Sequence, residues 1–473
     1  MNKENKASEG YLKSTVIYAI GDIIPKILAF ISFPILTSYL STEDYGIVNY
    51  INSISMFLIV FNILNLNTFY IIHYFKCETV KDQKQLLGNL TIFISLFNLA
   101  ILAFFIIAGY IFDQNFNAKI AFFPYIFLGV LANFFNVFSI LPLASFRVKK
   151  QPLMFAGMSI SKNVLQLLIT VLLVIVYKML ALGVLYSILI AAIVFFFYYV
   201  YYTLNNADFI FNYQQIKSAL LFSLPLVPGT LAYLLINLLD RVIIARYLSL
   251  SDLGIYGTAA TLGLLINIVS TGFYQALEPL IFKKYSESGF KQEFIRIRKM
   301  MLVVLLVTAM GIALYSQEFL FFMSAPSFHH AYIYLPILLL GGIMAGINML
   351  YSTLITASGH TKTNSLNIII GCVVSIPLNF LLVPHIGVMG AAIAFMLAFG
   401  IILGLSVYKS NFRFLSFKEL LAILLWICVV ALSVYYYHFK PGLSSIIIKM
   451  LIIFGFSGIL ILLTGIRKFR KTF

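Results

Sequence analysis

The chain has 473 residues, 62% of them hydrophobic and only 10% charged, and its 32 Lys and Arg against 16 Asp and Glu give a net charge of +16. A composition this apolar excludes an ordinary soluble domain, and without such a domain to carry a groove-reading element the positive charge does not indicate nucleic acid. Cys77, Cys372 and Cys428 lie far apart with no CxxC pair, which excludes a disulfide framework and a zinc site.

In chain order, fourteen apolar stretches are predicted to cross a membrane. In the first half they are Ser14–Leu40, Gly46–Ile72, Gly88–Phe112, Ala121–Ala144, Phe155–Tyr177 and Leu180–Leu204. In the second they are Ser218–Leu239, Gly254–Phe282, Met300–Phe322, Tyr332–Ala357, Leu366–Val383 and Val388–Tyr408, and Leu420–His438 and Leu443–Ile466 complete the set. Each is near or above the roughly 20 residues that a helix needs to span a bilayer core. Uninterrupted apolar runs lack the alternation of barrel strands, so the expected fold class is an all-α integral membrane bundle. A polar start followed by a long first stretch predicts a retained helix and not a cleaved signal. The adjacent His329 and His330 fall in an outer connector without a third ligand and read as a solvated loop.

Orientation follows from Lys and Arg, which are enriched in cytoplasmic connectors. Alternate connectors and the two tails hold 24 of them, and the opposite side holds five, Lys119, Lys178, Arg241, Arg246 and Lys440. Both termini are therefore expected in the cytoplasm, with the basic connectors facing anionic membrane lipids.

Tyr39–Ile47 (YLSTEDYGI) returns 208 positions later as Tyr247–Ile255 (YLSLSDLGI), with six of nine residues identical. A fainter echo, Ala144-Ser145 with Lys149 and Ala357-Ser358 with Lys362, recurs 213 positions on. Six spans separate the two nonapeptides, so the halves enter the membrane in the same sense, an arrangement of transporters that rock around a central cavity. The expected organisation is a lobe over 1–210, a second over 211–412, and two further helices with a tail over 413–473. In each nonapeptide the acid and glycine (Asp44, Gly46; Asp252, Gly254) are expected to form a turn that caps the next helix.

Three segments resemble a known family. They are Gly21–Gly46 (GDIIPKILAFISFPILTSYLSTEDYG), Leu224–Tyr256 with its Pro-x-x-Pro helix, Asp-Arg pair and Gly-Ile-Tyr turn, and Asn379–Ala394 (NFLLVPHIGVMGAAIA). Together they are similar to the bacterial polysaccharide biosynthesis or oligosaccharide flippases, the Wzx-like members of the multidrug/oligosaccharidyl-lipid/polysaccharide exporter (MOP) superfamily. The resemblance implies a flippase of the bacterial cytoplasmic (inner) membrane that carries a polyprenyl-diphosphate-linked oligosaccharide between leaflets by alternating access. Its product would enter O-antigen or capsule synthesis, with a polysaccharide polymerase and a chain-length regulator as partners. No cofactor is expected, and a proton or sodium gradient is a candidate driving force. Where the family tends to carry cavity arginines, this first span carries Lys26, a point charge without a bidentate fork.

The charges expected inside the membrane are Asp22, Lys26, Lys162, Asp240, Glu278 and Lys449, with Arg241 at an outer span end. Lys26 is thirteenth of 27 residues in its span, too deep to snorkel easily. It is a candidate contact for the carrier diphosphate, or else an i,i+4 partner of Asp22. Lys162 is a second substrate-contact candidate, or snorkels. Asp240 and Arg241 are candidates for an outer gate or a helix-end pair. Glu278, before Pro279, is a candidate coupling site or an ion-pair partner of Lys283 and Lys284. Lys449 reads as an interfacial anchor. Pro25 and Pro34 in the first span and Pro225 and Pro228 in the seventh are hinge candidates at matching positions, and Gly342, Gly346 and Gly387–Ala392 are expected to let helices approach closely.

No Walker A, HExxH or paired-acid motif occurs, so no catalytic residue or metal ligand is assigned, and the chain is not expected to be an enzyme. A membrane glycan polymerase or ligase remains the rival of another class. A cation-coupled multidrug antiporter and a peptidoglycan-precursor flippase are rivals within the transporters.

Overall fold

The computed structural model describes residues 2–115, 119–285, 287, 289–410, 412, 416–436 and 443–464, and every regular element among them is a helix. Fourteen helical segments are long and apolar enough to cross a membrane, and each coincides with one of the fourteen stretches expected. The protein is an all-α, multi-pass membrane protein.

The first six spans are built from α1 (Asn2–Tyr39), α2 (Thr42–Ile63) with the short α3 (Leu66–Tyr74), α4 (Val80–Asn115), α5 (Phe127–Val137) with α6 (Ile140–Val148), α7 (Pro152–Val171) and α8 (Leu180–Asn206). The seventh combines α9 (Tyr213–Ser223) with α10 (Val227–Tyr247). α11 (Leu250–Lys284), α12 (Phe290–Met323), α13 (Leu335–Ala357), α14 (Thr361–Ile386) and α15 (Val388–Ser410) follow, and α16 (Phe417–Ala431) and α17 (Leu443–Thr464) end the chain.

The two nonapeptides form the same cap. Ser41 accepts from the Asp44 backbone N–H while Asp44 accepts from that of Ser41, and Ser249 and Asp252 repeat the arrangement. The serine is thus the N-cap and the aspartate the third helical residue, a capping box. Gly46 and Gly254, expected in the turn itself, lie instead inside α2 and α11 and are buried. Neither takes a positive φ, so no turn dihedral is asked of them.

Hydropathy missed some breaks and some continuations. The second span is interrupted where Leu64 and Asn65 both take left-handed dihedrals (φ 50° and 58°). Asn is one of the few residues that visits this region readily. Its Nδ2 donates to Thr230 Oγ1 at 3.1 Å, and its carbonyl accepts from Ser223 Oγ at 3.4 Å, so the break is held in place. The seventh span extends beyond its expected end at Leu239 to Tyr247, and the ninth helix begins at Phe290, ten residues before the expected Met300. In both cases charged residues that suggested a connector lie within a helix.

The prolines act differently in the two repeats. α1 runs unbroken through Pro25 and Pro34, whereas a 3-10 turn over Leu224–Leu226 separates α9 from α10 next to Pro225 and Pro228. Tight helix packing is visible at Gly342, where an added Cβ would lie 2.5 Å from Ile266 Cγ2 on α11.

The chain divides into two compact units, residues 1–234 and 235–473, with the division inside α10. A core of the first unit gathers Leu66, Phe69 and Tyr70 of α3, Leu86, Leu87 and Leu90 of α4, and Leu141 of α6.

Candidate functional site

In the first unit, α1 is positioned by α7. Gly21 is a point of close approach, since a Cβ there would sit 2.9 Å from the Ala156 Cα. Ser159 Oγ donates to the Gly21 carbonyl at 3.0 Å, and the Tyr18 ring meets Phe155 edge-on with centroids 5.5 Å apart. The paired positions rise together along both helices, so α1 and α7 run parallel. Lys26 lies five residues past Gly21 and Lys162 three past Ser159. At 1.5 Å per residue the two lysines reach levels within about 3 Å of each other.

Their surroundings differ. Asp22 does not pair with Lys26: both of its oxygens lie 3.2 Å from Nη2 of Arg147, whose guanidinium also rests 4.4 Å above the Phe155 ring. Lys26 is exposed and, among the described residues, makes no hydrogen bond or ion pair. Lys162 is half-buried and donates to Asn136 Oδ1 on α5. It is satisfied inside the bundle and has no need to snorkel.

In the second unit, the polar sites are closed. Asp240 is 2% exposed and accepts from Tyr256 of α11, from the Arg241 backbone N–H at 2.7 Å and from Arg241 Nη1 at 3.2 Å. Arg241 Nη1 also donates to the Asn237 carbonyl at 2.6 Å. These contacts lie on α10 itself and on α11, in the interior of a helix and not at its end. Glu278 is not paired with Lys283 or Lys284. It accepts from Tyr274 at 2.5 Å, the Tyr274 oxygen accepts from Thr353 Oγ1 at 3.1 Å, and Lys284 is taken by Glu293 at 2.8 Å. Helical spacing favours Tyr274 over the lysines, because it lies four residues before Glu278.

Lys449 is not an interfacial anchor: it is 1% exposed and holds both oxygens of Glu318 at 2.7 and 2.8 Å. Ser445 adds a 2.9 Å hydrogen bond to the same carboxylate. Sequence reasoning passed over Glu318, although it is the one acid within the expected ninth span. It likewise treated Arg298 and Glu419 as connector residues, yet Arg298 Nη2 binds both Glu419 oxygens at 2.7 and 2.9 Å, fully buried between α12 and α16. Two turns further along the same two helices, Trp426 Nε1 donates to the Leu306 carbonyl at 3.0 Å. An arginine and an acid each one or two residues outside an apolar stretch were the available signal, since such charges are tolerated within a bundle when they face a partner.

Comparisons with known proteins agree with this architecture. The polysaccharide biosynthesis protein family matches residues 11–285, and the MatE family matches residues 225–381. Among solved structures, the lipid II flippase MurJ in an inward closed conformation is similar over 94% of this chain and 99% of its own, with a TM-score of 0.76 at 16% identity. An inward-facing MATE-family multidrug resistance transporter of the MOP superfamily is similar over 83% and 98%, with a TM-score of 0.68 at 14% identity. A curated relative, Lsg locus putative protein 1 of Haemophilus influenzae, is 24% identical over 278 residues, 57% of this chain and just under two thirds (66%) of that protein's length. With a family match across more than half of its residues, on a fold shared with these solved transporters, the chain belongs to the polysaccharide biosynthesis protein family.

Proposed function

We propose that the protein is a flippase that moves a polyprenyl-diphosphate-linked oligosaccharide from the inner to the outer leaflet of the bacterial cytoplasmic membrane, for O-antigen or capsule synthesis. The observation that carries this reading is the family match over residues 11–285 on a chain with a transporter fold. In polysaccharide synthesis, the step that needs such a fold is the crossing of a lipid-linked intermediate. Lys26 supplies the chemistry for its diphosphate. A lone cation in mid-span costs about 2.5–3.5 kcal/mol by insertion scales, so it is retained where water or an anion meets it. Asp22 is already engaged by Arg147, which leaves the Lys26 charge available for cargo. Lys162 is a second donor at the same depth, and Glu278, held by Tyr274, is the candidate coupling site. The excess of basic residues in alternate connectors supports cytoplasmic termini, and the flipped product would pass to a polymerase and its chain-length regulator.

The test is a deletion strain scored for surface polysaccharide. Loss of polysaccharide with accumulation of the lipid-linked precursor is expected, and wild-type polysaccharide in the deletion overturns the reading. A second reading, a multidrug antiporter, draws on the MatE match over residues 225–381 and predicts drug hypersensitivity with normal glycan. A peptidoglycan-precursor flippase, suggested by the likeness to MurJ, predicts lysis and lipid II accumulation instead.

A further inference from the structure

Helices α1 and α2 of the first unit meet at one end and part toward the other. Close to the connector between them, the Phe33 ring of α1 meets the Tyr45 ring of α2 edge-on with centroids 6.3 Å apart, and both residues are buried. Beyond that contact α1 leans on α7, while α2 leans on α5. Ile51 marks the α5 side of α2, because it packs where a Cβ on Gly129 would stand. Tyr45 marks the side that faces α1.

Helix register then sets two polar side chains opposite each other. Lys26 lies seven residues before Phe33 on α1, and Asn52 lies seven after Tyr45 on α2. Seven residues are nearly two full turns and about 10 Å, so in this antiparallel pair both return to the face marked by the ring contact, at one level. Asp22 and Met56, eleven residues from the same rings, continue the two stripes. Lys26 and Asn52 are exposed, and among the described residues neither makes a hydrogen bond, to the other or to any third group. Elsewhere on α2 the polar side chains are spent locally: Asn49 donates to the Tyr45 carbonyl and Ser53 to the Asn49 carbonyl, each at 2.8 Å. A free amide facing a free ammonium in mid-span is costly unless water or cargo fills the gap between them.

We propose that Asn52 is a specificity-determining contact for the first sugar of the cargo, the one bonded to the diphosphate, and that it reads the group on C2 of that sugar. The proposal rests on the flippase reading above, in which the diphosphate meets Lys26. A phosphate offers only acceptors, and a cation serves it better than an amide does. The Asn52 amide carries two donors and an acceptor, which suits a hydroxyl or acetamido group that both gives and takes a hydrogen bond. C2 adjoins the carbon that bears the phosphate, so its substituent is the sugar group closest to a phosphate held on the opposite wall. The hydrocarbon of the carrier offers an amide no partner.

The test loads the full-length protein in nanodiscs with radiolabelled citronellyl diphosphate, a short sugarless analogue of the carrier. The label is displaced by citronellyl diphosphates bearing glucose, galactose, their N-acetylamino forms or the two 2-deoxy sugars. At least one of the four C2-substituted sugars is expected to displace it about fivefold better than its 2-deoxy counterpart, one hydrogen bond's worth. Asn52→Ala should erase that advantage while leaving the affinity for the sugarless probe unchanged, and Lys26→Met should weaken all probes alike. Because Asn52 is exposed and unbonded, its variant should unfold at the same temperature as the parent, which separates lost recognition from lost folding. A C2 preference that survives Asn52→Ala, or no C2 preference in the parent, overturns the proposal and leaves the flippase reading standing. Equal weakening of sugarless and sugar-bearing probes by Asn52→Ala makes Asn52 a phosphate contact and also overturns it. If the parent binds no diphosphate probe at all, the flippase reading falls, and the assignment of Asn52 falls with it.

Discussion

In the second unit, charges that hydropathy would bar from a membrane are locked together: Glu318 to Lys449, Arg298 to Glu419, Asp240 to Arg241 and Tyr256. In the first, Asp22 and Arg147 meet at a half-exposed site, Lys162 is satisfied by a neutral amide, and Lys26 makes no bond among the described residues. The contrast separates two uses of intramembrane charge. A buried pair joins helices, and here two such pairs fasten α16 and α17 to the same helix, α12. A single exposed charge fastens nothing, so its retention in mid-span is explained only by what comes to meet it.

Breaking a pair on one side should therefore have the largest effect. Glu318→Ala leaves the Lys449 ammonium buried and uncompensated, and the expected loss is about 3–5 kcal/mol of stability, seen as a lower thermal unfolding midpoint in detergent. Replacing both, Glu318→Leu with Lys449→Met, should recover most of that loss, because the desolvation penalty disappears with the charges. A single variant as stable as the parent would remove the distinction between fastening and functional charge.

Lys26→Met sharpens the other half of the comparison. Stability should stay within about 0.5 kcal/mol, as for a surface substitution, while export of polysaccharide falls about ten- to a hundredfold, the worth of one charged hydrogen bond to phosphate. Lys26→Arg should retain most of the function. Full export by Lys26→Met, with protein levels unchanged, would remove Lys26 from the transport step. Tyr256→Phe stands between these cases: it takes one donor from the buried Asp240 carboxylate, and the expected cost is about 1–3 kcal/mol in the same unfolding measurement.

What the sequence made legible follows from which forces are local. All fourteen spans were legible in order, because each apolar run must satisfy its own backbone in lipid and so declares itself without reference to the rest of the chain. The two caps were legible as a repeat, though the roles of serine, aspartate and glycine within them were not. Three-dimensional neutralisation was invisible. Asp240 and Arg241 read as a span end and Arg298 as a connector because hydropathy counts each charge separately, whereas the fold cancels them against Tyr256 and Glu419. The break at Leu64 and Asn65 was hidden for a related reason: its anchors, Ser223 and Thr230, lie more than 150 residues away. Of the candidate site, Lys26 and Lys162 could be named from sequence as isolated cations, but the diversion of Asp22 to Arg147 depended on how α1 packs on α7.

The smallest effect tests whether the repeats are equal where they look equal. Ser41 and Ser249 occupy the same cap, with backbone bonds from Asp44 and Asp252 of 3.0 Å in each and hydroxyl-to-carboxylate distances of 2.6 Å in each. Replacing either serine by alanine removes one side-chain acceptor at an exposed helix start, and about 1 kcal/mol is expected in both cases. Since the two sites share no residue and lie in different units, the double variant should lose the sum of the single losses. A clear inequality between Ser41→Ala and Ser249→Ala would mean that the duplicated turn has acquired a second duty in one half. The same cap geometry with unequal cost would then point to transport, because local hydrogen bonding alone gives no reason for a difference.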